Sequence, residues 1–195
     1  MAKNYWMFVQ TPENFAISKG LGFTVHGVGS KYRKRAERMQ PDDRVLYYVN
    51  GLRKWTVMGS IASKCFEDTS RIWKPTSRGE DFRYRVKIAP GIILCEAEYI
   101  DALVLAPRLE YVKRWIPETW PLAFMEYLHL LPQRDYRLVE GEIRRIVAKR
   151  TRPLWMGPSS SPSQQAAAIA EDDHLEDEGE APRESESEED EPAIE

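Results

Sequence analysis

The sequence predicts a mixed α/β (α+β) fold: a barrel or curled sheet of six or seven short strands, with helices at an early crossover and at the C-terminus. Three observations predict it. Short apolar and aromatic runs recur between Gly, Pro and Asn punctuation, as strands do. Apolar residues at helical spacing are confined to an early stretch and a late one. All aromatic residues lie at or before Trp155. Beyond that point the chain is a Ser/Pro-containing and then acidic segment, with too little apolar surface to offset the entropy of ordering. The expectation is one domain over residues 1–152 and a disordered acidic tail over 153–195.

Each element follows from its residues. Tyr5 to Val9 is an aromatic-rich strand that ends before Pro12. Glu13 to Lys19 reads as a short helix stopped by Gly20 and Gly22. Phe23 to Val28, punctuated by Gly27, reads as a turn where backbone approaches another group closely. Tyr32, Ala36 and Met39 share one helical face, so a helix is expected over Lys31 to Met39. Arg44 to Val49 is a strand, and Asn50-Gly51, both tolerant of positive φ, predicts a hairpin into Trp55 to Cys65. Gly59 marks a bulge on that returning strand.

Phe66 to Gly79 reads as a loop carrying Trp73. Phe82 to Ile88 alternates apolar with cationic residues, the pattern of a half-buried strand with a basic outer face. Pro90-Gly91 predicts a turn into Ile92 to Cys95. Glu98 to Leu105 is open between helix and strand. Leu109 to Trp115 and Phe124 to Leu131 are apolar segments separated by a Trp-Pro turn. From Gln133 to Val147, the spacing of Tyr136, Val139 and Ile143 predicts a C-terminal helix, closed by Pro153. A fleeting helix is expected around Gln164 to Ala170.

The net charge of −3 conceals a division. Residues 171–195 hold 14 acidic residues and one basic residue, leaving 27 basic and 17 acidic residues before them. An excess of ten cations attracts polyanions, and phosphate neutralisation dominates nucleic-acid affinity. The acidic tail has two readings, docking onto the basic body or onto a basic partner. Cys65 and Cys95 lack metal-ligand spacing and are expected to be buried, reduced thiols. No stretch is long and apolar enough to span a bilayer, and no signal-peptide core opens the chain, so a cytoplasmic protein is expected.

Candidate chemistry gathers between Tyr5 and Arg38. An aromatic strand, a polar turn at His26-Gly27 and the cationic run Lys31, Arg33, Lys34, Arg35, Arg38 together describe a pocket for a flat polar ligand beside a phosphate backbone. Trp6, Trp73 and Tyr84 are each either a stacking face or plain core. His26 is either a structural histidine or a group bonding the edge of a base, and without a second His or Cys at ligand spacing it does not predict zinc. Arg85, with Arg83 and Lys87, extends the expected phosphate surface. No nucleophile elbow, His-Glu-x-x-His or phosphate loop is present, so no catalytic residue and no cofactor are expected.

Several of these stretches, in this order, resemble the EVE domain family, in its subgroup of small stand-alone proteins. They are Tyr5-Trp6, His26-Gly27, the basic stretch ending at Met39, Arg44-Val45-Leu46-Tyr47-Tyr48, Phe82-Arg83-Tyr84-Arg85-Val86, Tyr111-Val112-Lys113 to Trp120, and Gln133-Arg134-Asp135-Tyr136. The resemblance spans Asn4 to Ile146. One departure is Asp42-Asp43, where the family commonly has Gly-Asp. The resemblance implies a PUA-like pseudo-barrel of about six strands, related to YTH and ASCH domains, that holds a modified base. Modified cytosine in DNA is the ligand usually proposed for the family, and modified RNA is the alternative. By correspondence with YTH domains, Gln10, Thr11 and Asn14 would face the ligand with Ser30 opposite; from the residues alone they are turn and cap residues. Two other classes stay open: a small hydrolase acting on modified nucleosides, as in the ASCH group, and a protein-interaction module.

Overall fold

Strand β1 (Tyr5–Gln10) is buried on both faces and orders the rest of the domain. The computed structural model describes residues 3–75 and 80–150, which lie within a unit spanning Met1–Arg152. The expectations for the tail, for Gln164 to Ala170 and for Pro153 fall outside the described residues. After β1 come α1 (Pro12–Gly20), β2 (Val25–Val28), a single 3₁₀ turn at Ser30–Tyr32, the one-turn helix α2 (Arg33–Ala36), β3 (Arg44–Val49) and β4 (Lys54–Ile61). Then follow β5 (Phe66–Glu67), β6 (Tyr84–Ile93), β7 (Ile100–Asp101), α3 (Ala102–Leu105), three 3₁₀ turns, β8 (Leu128–Leu130) and α4 (Gln133–Arg150).

Six strands hydrogen-bond in the order β2-β6-β4-β3-β1-β8, with β5 paired to β6 and β7 to β4. β1 runs parallel to β3 and antiparallel to β8. The sheet curls strongly. β2 and β1 are separated by three strands in that order, yet the His26 ring of β2 stacks on the Phe8 ring of β1, with centroids 3.8 Å apart and planes 10° apart.

Alternation on β1 divides the interior in two. Met7 and Val9 join Leu46, Tyr48 and Trp55 in a core covered by Tyr136, Val139 and Ile143 of α4. Trp6 and Phe8 join Phe23, Val45, Tyr47, Val86 and Met39 in the core enclosed by the curl. Each fully buried aliphatic side chain on α4 contributes about 1.5–3 kcal/mol. That burial holds an otherwise charge-rich helix onto the sheet.

Several local expectations change. The Asn50-Gly51 hairpin forms, but its left-handed residue is Arg53, at φ 54°. Gly51 is instead required for close approach, since a Cβ there would meet Pro12 Cγ at 2.9 Å. Phe23 to Val28 ends in the strand β2 rather than being a turn, because Val25 to Val28 pair with β6. No turn forms at Pro90-Gly91. β6 runs through both residues: Gly59 pairs with Pro90 and Met58 with Ile92, so Gly91 is the extra residue of a bulge on β6 itself. The helix expected over Lys31 to Met39 shrinks to α2 with flanking turns, and Ala36 and Met39 still reach the core. Glu98 to Leu105 contains both a strand and a helix. The cysteines are not buried: Cys95 is exposed where β6 gives way to a 3₁₀ turn, and Cys65 is half-buried.

Candidate nucleic-acid interface

β1 delivers Val9 and Gln10 to one end of the enclosed core, α1 delivers Asn14, and β2 delivers His26 and Gly27. The segment between β5 and β6 adds Trp73 and Phe82, and Tyr127 comes from just before β8. These side chains line a closed cleft with a volume of about 10 Å³, space for about one water. Trp73 lies directly on the backbone of Gly27, where a Cβ would meet Cζ3 of the indole at 2.4 Å. A glycine is therefore the residue that lets the ring pack there.

The polar groups of the cleft are positioned from behind. Ser18 Oγ accepts from both Gln10 Nε2 at 2.7 Å and Trp73 Nε1 at 2.9 Å. Asn14 makes a two-way pair with Lys74, donating Nδ2 to its carbonyl at 2.9 Å and accepting its N–H at 2.8 Å. Thr11 caps α1, its Oγ1 accepting from Asn14 N, with Pro12 in the first turn where its missing N–H costs nothing. Two buried polar atoms of the cleft residues, Gln10 Oε1 and His26 Nδ1, have no partner among the described residues. Burial lowers the His26 pKa to about 3, so the imidazole is neutral. It contributes hydrogen-bonding capacity without charge.

The structure brings together Gln10, Asn14, His26, Gly27 and Trp73 of the residues singled out from sequence. Thr11 stands one step behind, as a cap. Ser30 sits apart from the cleft and holds its rim, bonding Asp81 through its backbone N and its hydroxyl, one residue before Phe82. Trp6 and Tyr84 do not reach the cleft. Trp6 is in the core and donates Nε1 to Asp43 Oδ2 at 2.9 Å. Tyr84 is core beneath the guanidinium of Arg33, 5.4 Å from its ring centroid.

Arg85 is the clearest correction. It is 2% exposed and unavailable to a phosphate. Its strand is paired on both sides, with β2 and β5, and the following loop closes over its side chain. The guanidinium bonds Asp68, the hydroxyl and carbonyl of Ser70, and the Phe82 carbonyl, and lies 5.4 Å from the Trp73 ring centroid. It is a clamp behind the loop that carries Trp73.

The remaining cations are at the surface. Arg35 and Lys31 both meet Glu126, at 2.8 and 3.5 Å, and Arg33 meets Glu37 at 2.7 Å. Lys34 is exposed, and Arg38 is exposed beside a shallow hollow shared with Arg35, Tyr111 and His129. Sequence reasoning did not find Ser18, Phe82 or Tyr127. Ser18 left one readable signal: with Asn14 it makes a polar i, i+4 pair on a short helix, the spacing that places two residues on one face. Among the described residues no group of three His, Cys, Asp or Glu is placed to hold a metal ion, and no helix is long and apolar enough to cross a membrane.

The sequence profile of the EVE domain matches residues 4–115. The chain belongs to the EVE domain family. The Pyrococcus horikoshii UPF0310 protein PH1033 is 30% identical over 146 residues, covering 70% of this chain and 96% of that protein. A Pyrococcus abyssi relative, UPF0310 protein PYRAB08750, is 27% identical over 149 residues, covering 71% and 98%. Among solved structures, the YTH domain of Mmi1 superimposes with a TM-score of 0.54 at 9% identity, covering 75% of this chain and 91% of that one. The YTH domain of Zygosaccharomyces rouxii MRB1, in complex with N6-methyladenosine RNA, gives 0.52 at 15% identity, covering 74% and 91%. The mixed α/β fold, a curled sheet with flanking helices, is thus shared with YTH domains.

Within this EVE domain the Asp42-Asp43 departure has a structural reading. Asp42 takes φ 71°, a conformation that costs a non-glycine residue strain, so the glycine common in the family suits the turn. Asp43 is buried and accepts from Asn4 N, Asn4 Nδ2, Trp6 Nε1 and Gln40 N. Its carboxylate ties β1 to the start of β3.

Proposed function

We propose that this EVE domain is a nucleic-acid reader that accepts a single extruded or unpaired modified base in the cleft between Trp73, Phe82 and His26. The cations of the Lys31 to Arg38 stretch lie along the phosphate backbone. One observation carries the reading: a cleft faced by aromatic rings also holds two buried polar atoms without partners among the described residues, Gln10 Oε1 and His26 Nδ1. Buried polar atoms are nearly always bonded, so an orphaned pair in a cleft fits a ligand edge that completes them. Stacking on an aromatic face contributes about 1–3 kcal/mol per base. The cleft holds about one water as it stands, so a base is admitted by parting Trp73 and Phe82.

Binding rather than turnover is the reading, because the neutral His26 has no carboxylate or nucleophile bonded to it among the described residues. Modified cytosine in DNA and a modified base in RNA both fit. The RNA arm draws support from the fold shared with the MRB1 YTH domain, whose structure contains N6-methyladenosine RNA. The test is a panel of short single-stranded DNA and RNA oligonucleotides carrying modified cytosine, N6-methyladenine or no modification, read by fluorescence titration. One modified oligonucleotide should bind tighter than its unmodified counterpart, and Trp73→Ala should weaken that complex by about 10- to 100-fold. Equal binding of all oligonucleotides, with Trp73→Ala indistinguishable from the native protein, would remove the reading.

A further inference from the structure

Glu126 occupies an unusual position. It lies immediately before Tyr127, which lines the cleft, and its carboxylate lies between two cations of the expected phosphate surface. Arg35 donates Nη1 to Glu126 Oε2 and to the Leu128 carbonyl, both at 2.8 Å, so the guanidinium is oriented by the backbone as well as by the acid. Lys31 Nζ meets Oε1 of the same carboxylate at 3.5 Å. Both cations flank the Tyr32 ring, 5.3 and 5.8 Å from its centroid, and the Tyr32 hydroxyl accepts the backbone N–H of Tyr127 at 3.2 Å. The anion-binding groups, the acid and the wall of the cleft therefore form one connected unit.

A carboxylate held by two convergent cations has the charge and oxygen arrangement that a phosphodiester would present. Among the described residues, Glu126 is the acid that pairs with both Lys31 and Arg35. Resting on the reading of the cleft as a base site, we infer that Lys31 and Arg35 form a phosphodiester subsite that Glu126 occupies when no nucleic acid is bound. Its carboxylate acts as a built-in competitor that the backbone of a bound strand displaces. Displacing Glu126 costs every strand the same, so Glu126 lowers backbone affinity across the board and leaves discrimination to the filling of the cleft.

The exposed pairs contribute little to folding, so Glu126→Gln should fold normally and keep the side-chain length. The probe is an unmodified single-stranded oligonucleotide titrated at several salt concentrations, because non-specific backbone binding reports the subsite whether or not the cleft reads a base. Glu126→Gln should bind it about three- to tenfold tighter, with a log–log salt slope steeper by roughly 0.7, the share of one additional phosphate contact. Glu142→Gln, which removes the same charge from a surface ion pair on α4, should leave binding unchanged. Glu126→Asp, whose shorter arm draws the carboxylate back from the cations, should fall between. The inference is overturned if Glu126→Gln binds no tighter than Glu142→Gln, or binds more weakly than the native protein. Loss of discrimination between modified and unmodified oligonucleotides in the native protein would instead overturn the base site alone.

Discussion

A Cβ at position 27 would sit 2.4 Å from Trp73 Cζ3 and 2.8 Å from the Phe82 carbonyl, so both walls of the cleft lie against the same glycine. Gly27→Ala must push aside either an indole held by Ser18 and Arg85 or a backbone carbonyl bonded to Arg85. It should cost about 1–3 kcal/mol of stability, as overpacking does. It should also weaken oligonucleotide binding by more than that loss of fold explains. Urea unfolding alongside titration of the folded variant checks both, and an alanine variant with native stability and affinity would show that Trp73 is not seated as described. The glycine was legible in sequence as a point of close approach. Its neighbour was not, because Trp73 lies 46 residues away in a loop and no local pattern encodes which ring a backbone touches.

At the scale of elements, the β1–β3 junction is where local chemistry sets the architecture. Four donors converge on the Asp43 carboxylate, two of them from Asn4 and one from the Trp6 indole. Asp43→Ala leaves those donors without an acceptor, and the loss should be about 3 kcal/mol or more by denaturant unfolding. Asp42→Gly should act in the opposite direction, gaining about 0.5–1 kcal/mol because glycine adopts positive φ without strain. A measured loss in Asp42→Gly would mean that the aspartate side chain itself supports the turn. Strand β1 was legible from its aromatic run bounded by Pro12, and helix α4 from its strong helical periodicity. β6 was misread at both ends. Pro90-Gly91 is a turn signal in isolation, but a bulge at Gly91 within β6 absorbs it and the pairing with β4 continues. Arg85 fits an alternating outer face, but β5 and the loop after it cover that face.

Across the whole molecule, two histidines are buried without charge, and stability must depend on pH. Burial lowers His26 to about 3 and also lowers His129, which is packed between the Tyr111 hydroxyl and the Glu126 carbonyl. In the unfolded chain both titrate near 6.5, so below that pH the unfolded state takes up protons that the folded state refuses. Stability should therefore fall as pH drops below 6.5, for His26 by up to about 1.4 kcal/mol per pH unit down towards 3, with His129 adding in the same direction. In urea unfolding at a series of pH values, His26→Phe should remove one histidine's share of that slope. An unchanged slope would contradict a neutral, buried His26.

The sequence by itself determined the mixed α/β class, the aromatic strand at Tyr5 to Val9, the late amphipathic helix and the gathering of aromatic, polar and cationic residues near the N-terminus. These are properties of residue type and short-range periodicity, which act through the local backbone. Only the tertiary structure decided which of those residues share a cleft. The curl that places His26 on Phe8 also leaves Trp6 bonded to Asp43, buries Arg85 behind Trp73, and brings Phe82 and Tyr127 in from distant segments. Whether a side chain lines a cavity depends on what the rest of the chain packs against it, and that is a long-range property without a local signature.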